Sequence, residues 1–233
     1  MKHLENTMFR YRNFVYVVFT GFIFISCVHN TNIEVIENQN VTLLNTKKCK
    51  DGDFVFVSSD SSAFDEAVAN VTKNSRNFNF SHVGLIHCTD SGVFVIEAIT
   101  KGVCYTSADT FWHRNSNSAI KMARLKAEYQ KYIPAAIAQA LRCIGKKYDF
   151  AFDMENDAYY CSELLYFAFV QSSGDSLFFE LSPMTFIDKT TNDYHPYWKT
   201  YFSDLKMDIP EGKLGLNPNG MALSEKLEWE DSK

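Results

Sequence analysis

Long apolar runs, internal repeats, low-complexity tracts, a basic stripe and paired cysteines are all missing from this chain of 233 residues. With no repeat or biased tract, and with 46% hydrophobic and 22% charged residues, it reads as one globular domain with a sizeable core. With no basic stripe interleaved with aromatics, and a net charge of −5, nothing in it favours nucleic acid. Its cysteines are spread too widely for zinc: Cys49, Cys88, Cys104 and Cys143 match no pattern of paired ligands. In an exported protein those four would allow three disulfide connectivities, and their spacing does not choose one.

The apolar run at residues 14–25 spans 12 positions, too few to cross a bilayer comfortably as a helix. Lys2, Arg10 and Arg12 come before it and Ser26-Cys27 after it. This order predicts a signal peptide over residues 1–26. Its end resembles a bacterial lipobox, which implies a diacylglyceryl group on Cys27 and cleavage that makes Cys27 the new N-terminus. Phe24 departs from the aliphatic residue usual at that position. Cleavage would remove Lys2, Arg10, Arg12 and Glu5 and move the net charge from −5 to −7. Ordinary secretion and a short uncleaved anchor are the competing readings. On the lipobox reading, residues 27–50, mostly polar with scattered asparagines, are a lipid-anchored tether and residues 51–233 are the folded domain. The protein would then be exported and held on a membrane of the bacterial cell envelope.

Within the folded part, Cys161, Leu164, Leu165 and Ala168 fall at i, i+3, i+4 and i+7, the spacing of one buried helical face. The polar and turn-forming residues 153–157 come just before, which puts Cys161 in the first turn. There the unpaired N–H groups and the positive end of the helix dipole stabilise an anion, which favours a thiolate and can also receive an oxyanion. Glu163 lies roughly 200° further round the helix, so its charge need not face the sulfur and can still favour the helix start. Taken alone, a cysteine on such a face is more often a small buried hydrophobe.

Upstream, Asp51-Gly52-Asp53 predicts a turn, residues 54–57 a buried strand, and residues 64–71 a short helix. Ser81-His82-Val83-Gly84-Leu85-Ile86-His87 reads as a strand with His82, Gly84 and Ile86 on one face and Val83, Leu85 and His87 on the other. Residues 92–99 form the next strand, and Glu97 is the one charge in it, expensive there unless paired. Residues 103–106 and 121–124 are further strands. Pro134 suits the first turn of a helix with Ile137, Leu141 and Ile144 on one face, and Gly145 suits its stop. Residues 175–205 are rich in aromatics and read as core cover, the wall of a binding groove, or a lid.

A histidine opening one strand, an acid buried on the next and a cysteine at a helix start are the parts of a Cys–His–acid site. In such a site the base deprotonates the thiol and the acid orients the base. Each has an ordinary structural reading by itself; the combination points to chemistry.

At Gly52-Asp53-Phe54-Val55-Phe56, Ser81-His82-Val83-Gly84-Leu85-Ile86, Val95-Ile96-Glu97-Ala98, Gly145-Lys146-Lys147-Tyr148-Asp149-Phe150 and Tyr159-Tyr160-Cys161-Ser162-Glu163-Leu164, the chain resembles a known family. It is similar to the circularly permuted relatives of the NlpC-type papain-like cysteine amidases, the YiiX/YaeF group. The segments keep that group's order, with His82 before Cys161, whereas papain-like enzymes usually place cysteine first. The likeness is vaguer after Gly174. It implies an α+β, papain-like, circularly permuted fold, with the cysteine helix packed on an antiparallel barrel-like sheet. It also implies Cys161 as nucleophile, His82 as base and Glu97 as third member, with no cofactor and a peptide or acyl-amide substrate.

The implied reaction is acyl transfer through a thioester, with cell-wall peptide or an acyl amide as substrate. Tyr160 and Tyr148 are candidates for further hydrogen bonds or for the pocket lining. Three other readings stay open. An acyltransferase on lipid substrates is opposed by Glu97 and by Tyr160-Cys161-Ser162-Glu163, because that related group has an Asn-Cys-Glu-His type of motif and a second histidine. A non-catalytic ligand-binding lipoprotein and a zinc site of Cys161, His82 and Glu97 are the remaining two.

Overall fold

The uninterrupted apolar run Phe-Val-Phe-Val forms β1 (Phe54–Ser58), and it lacks polar alternation because both of its faces are covered. In the computed structural model, which describes residues 48–58, 62–72 and 79–230, β1 lies inside a six-stranded antiparallel sheet. It pairs with β2 (His82–Thr89) on one side and β5 (Ala119–Leu125) on the other. The meander continues from β2 through β3 (Gly92–Ile99) to β4 (Gly102–Ser107), and β6 (Leu227–Trp229) pairs with the far side of β5. The sheet is open, with β6 and β4 as its edges.

Period-two alternation sorts the strand residues onto two cores. Phe54, Phe56, Val83, Leu85 and Ile96 pack with α3 (Ile133–Arg142) and α4 (Cys161–Ser173). Val55, Val57, Ile86 and Val95 pack with Phe111 and Trp112 of α2 (Ala108–Arg114). That second helix had no counterpart in the sequence reading. Ser107 starts it by accepting the Thr110 N–H on its Oγ. A third cluster joins Val68 and Val71 of α1 (Ala63–Thr72) to Phe152, Tyr160 and Phe186, and to Trp198 and Phe202 of α5 (Pro196–Leu205).

Pro134 does sit in the first turn of α3, but that helix stops at Arg142. Gly145 takes φ +85° in the turn beyond it, and Ile144, expected on the buried face, is exposed. Gly102 is needed where β4 begins: its φ is +104°, and a Cβ there would come 2.3 Å from the Lys146 carbonyl oxygen. Cys88, Cys104, Cys143 and Cys161 are free thiols. Residues 1–26, Cys27 and the tether as far as residue 47 lie outside the described residues. Among the described residues no helix is long and apolar enough to cross a membrane.

Candidate active site

Tyr160 is the extended N-cap of α4 and Cys161 its first residue. Two side chains hold this start in place. Glu163 Oε2 accepts the Tyr160 N–H at 3.1 Å, and Ser162 Oγ donates to the Leu216 carbonyl at 2.6 Å. Burial pushes the Glu163 carboxyl up to about 8, and the nearby Asp149, Asp153 and Cys161 add to the rise. Asp149 fixes the approach to the helix by accepting the N–H groups of Ala151 (2.9 Å) and Asp153 (2.6 Å) and the Asn156 side-chain amide (2.9 Å).

His82 opens β2, and its Nε2 lies 2.7 Å from Glu97 Oε2 on β3. The register pairs Leu85 with Ile96, so one step back sets Gly84 opposite Glu97, on the face His82 shares. Gly84 is required there: an added Cβ would come 2.5 Å from Val95 Cγ1 and 3.5 Å from Glu97 Cβ. With Nε2 committed to Glu97, Nδ1 is the nitrogen left for the thiol, and Cys161 is near enough to His82 to favour its protonated form. Burial alone would depress the imidazole. The interactions with Cys161 and Glu97 outweigh it and raise His82 to about 10.

Glu97 is fully buried and has more partners than the sequence suggested. Thr106 Oγ1 donates to its Oε1 at 2.7 Å, and Arg114 Nη2 reaches Oε1 at 2.9 Å and Oε2 at 2.7 Å. Burial favours the neutral acid, but His82 and then Arg114 hold the carboxyl down to about 2. Thr106 and Arg114 were absent from the sequence-level site. Thr106 was findable, since it shares a strand face with Cys104, the cross-strand partner of Glu97. Arg114 ends α2, and only the packing of that helix on the sheet brings it to Glu97.

A cavity of about 290 Å³ opens beside Cys161. Val68, Tyr148, Phe152, Tyr160, Phe186 and Trp198 form much of its wall, and among the described residues no Asp, Glu, Lys, Arg or His lines it. Both tyrosines expected at the pocket are there. The Tyr160 hydroxyl is occupied, donating to Met154 Sδ at 3.2 Å and accepting the Leu216 N–H at 3.2 Å, so its ring is what it offers the cavity. Burial, with Cys161 close by, raises the Tyr148 phenol well above its ordinary value. The late aromatics serve in both expected capacities, because Phe186 and Trp198 are buried in the third cluster and also face this cavity.

A thiol at a helix start, a strand histidine near it and a buried carboxylate behind that histidine have the layout of a papain-like cysteine site. The histidine comes first in the chain, which is the permuted order. The chain belongs to the permuted papain-like amidase family, YaeF/YiiX, C92 family, whose model matches residues 48–229. Its fold is similar to the crystal structure of the metalloprotein YiiX from Escherichia coli O157:H7, at 21% identity and a TM-score of 0.63, over 79% of this chain and 97% of that one. No curated protein is significantly similar to it. Among the described residues of this chain, no group of three His, Cys, Asp or Glu side chains is placed to hold a metal ion. Both Glu97 oxygens are already bonded. At the level of the family the protein is a papain-like hydrolase of amides.

Proposed function

We propose that this protein hydrolyses amides of uncharged, apolar acyl groups, with Cys161 as nucleophile, His82 as general acid and base, and Glu97 orienting His82. The observation that carries the choice of substrate is the cavity beside Cys161, about 290 Å³, whose wall among the described residues has no ionisable side chain other than tyrosine and Cys161 itself. A cell-wall peptide with charged carboxylates or amines would lose its hydration there and gain no ion pair. An acyl chain loses nothing by the same transfer and gains the burial of its methylenes.

The proton moves as follows. Cys161 gives its proton to His82, and the imidazolium so formed is favoured by the Glu97 carboxylate. The thiolate adds to the amide carbonyl. The developing oxyanion meets first-turn N–H groups of α4, which have no intrahelical acceptor. His82 then returns the proton to the departing amine as the C–N bond breaks, leaving a thioester. Water adds to that thioester while His82 takes its proton, and collapse of the intermediate releases the acid and restores the thiol. Tyr148 lines the same wall, and its raised phenol remains a donor throughout.

Intact-protein mass spectrometry after brief exposure to acyl anilides and, separately, to peptidoglycan fragments tests the reading. The expected result is an acyl-sized adduct that is lost in Cys161→Ala. Turnover of charged peptide fragments with no reaction on any acyl amide would overturn it. The same pocket would serve transfer of the acyl group to a second acceptor, and free acid as the sole product separates hydrolysis from transfer.

A further inference from the structure

Glu97 faces two partners with one charge. His82 Nε2 lies 2.7 Å from its Oε2, and Arg114 Nη2 spans both oxygens, 2.9 Å from Oε1 and 2.7 Å from Oε2. Imidazole and guanidinium therefore share Oε2, while Thr106 Oγ1 donates to Oε1 at 2.7 Å. The carboxylate is fully buried, and Arg114 is 36% exposed at the end of α2. Its guanidinium lies 5.2 Å from the ring centroid of Phe111, three residues earlier on the same helix, and that ring stands 6.4 Å from the ring of His82. One helix thus backs the imidazole with Phe111 and the acid with Arg114. Cys161 on α4 acts on His82 from the other side, and Cys104 on β4 stands opposite Glu97.

The reaction asks two opposite things of His82. To form the thiolate it must take a proton and hold it. To deacylate it must first be neutral, so that it can take the proton of the attacking water, and Cys161 is by then a thioester with no charge to hold an imidazolium. Glu97 alone would oppose that second state. A neutral imidazole beside a fully buried carboxylate leaves the anion without a counter-ion, a costly arrangement that is relieved by keeping the proton on His82. Arg114 removes this constraint, because its cation is permanent and spans both oxygens, so Glu97 stays paired whether or not His82 is charged. A second cation on the shared Oε2 also repels the imidazolium. Thr106, a neutral donor, does neither.

We propose that Arg114 is a positioning residue of the reaction, a fixed counter-ion to Glu97 that lets His82 release its proton and serve as the base of deacylation. This rests on the thioester reaction proposed above. In the step it serves, the water oxygen bonds to the thioester carbonyl carbon and the water proton goes to His82; the proton then passes to the Cys161 sulfur as the C–S bond breaks. Histidine-ring NMR on the Cys161→Ala protein, which lacks the thiolate as the acyl-enzyme does, reads the His82 titration without a substrate, and His82→Gln assigns the signal. Arg114→Gln and Arg114→Met, two neutral replacements at a partly exposed helix end, are expected to move that titration to higher pH by about one unit or more. Arg114→Lys keeps the cation and should return it most of the way. Stopped-flow mixing with acyl anilides follows the same variants through turnover. The neutral ones should keep the initial burst of aniline and slow the later phase about tenfold near neutral pH, with the acyl mass building up on Cys161. A merely structural Arg114 would slow both phases together and leave the His82 titration where it was. That result, or a titration moved to lower pH, overturns the inference. If no amide is turned over, the substrate reading fails, and the NMR titration still decides whether Arg114 governs the proton on His82.

Discussion

A carboxylate that takes donors from His82, Thr106 and Arg114 on its two oxygens cannot be changed without unpairing one of them. Glu97→Gln must turn an amide N–H₂ either towards His82 or towards Thr106 and Arg114. The expected result is a fall in kcat of roughly 10² to 10⁴, with the basic limb of the rate profile moving to lower pH because the imidazolium loses its anion. Steady-state kinetics across pH checks this; full activity with an unchanged profile would make Glu97 purely structural. The pair also bears on stability. Glu97, held at about 2 against an ordinary 4.5, contributes stability above pH 4.5 that is lost as pH falls through 2. His82, raised from 6.5 to about 10, contributes stability below pH 6.5 that is lost as pH rises through 10. Both contributions are complete between pH 4.5 and 6.5.

The thiols differ at the same scale. Burial raises Cys88, Cys104 and Cys143, and takes Cys49 to about 12, whereas Cys161 has a protonatable imidazole against it. Iodoacetamide near neutral pH should therefore modify Cys161 first, and His82→Ala should slow that modification. Peptide mapping of the alkylated protein reads both. Labelling of Cys161 no faster than of Cys88 would count against an activated nucleophile.

At the scale of elements, the start of α4 depends on an acid that the fold prefers neutral. Glu163 has an ordinary value of 4.5 and is raised to about 8, so its protonated form is favoured in the native state and its contribution fades as pH rises from 4.5 through 8. Glu163→Gln keeps an acceptor for the Tyr160 N–H and cannot ionise. Wild type should lose stability on the order of a few kcal/mol between pH 5 and 8 that the variant largely keeps. Thermal melts of the two proteins at both pH values decide it, and parallel curves would show that Glu163 does not titrate in this range. The expectation that Glu163 helps the helix start holds through its hydrogen bond to the N-cap. Strand β2 supplies the other half of the site: it carries His82, and Gly84 leaves the space that Val95 fills beside Glu97.

Over the whole molecule, the family domain at residues 48–229 follows a segment in which Lys2, Arg10, Arg12, the apolar run and Ser26-Cys27 still propose an exported, lipid-anchored protein. Each buried CH₂ of a diacyl anchor contributes roughly 0.8 kcal/mol, enough in sum to keep a domain on a membrane. Cys27→Ala should move the protein from the membrane to the soluble fraction. A wild type that fractionates as soluble and carries no lipid mass at its N-terminus would remove the anchor from the account.

The sequence by itself determined the strands, whose apolar alternation needs no partner to be read, and the place of Cys161 at a helix start. It also showed that His82 and Glu97 lie on successive strands of one meander, because period two assigns each residue a face. Only the tertiary structure decided that α2 folds over that face and delivers Arg114 to Glu97, since a helix's docking partner is set by burial of its apolar side, here Phe111 and Trp112, and not by local pattern. It alone decided that residues far apart in the chain, from Val68 to Leu216, enclose a largely apolar cavity beside the thiol. A pocket is a property of space left between packed elements, and no residue spacing along one element encodes it.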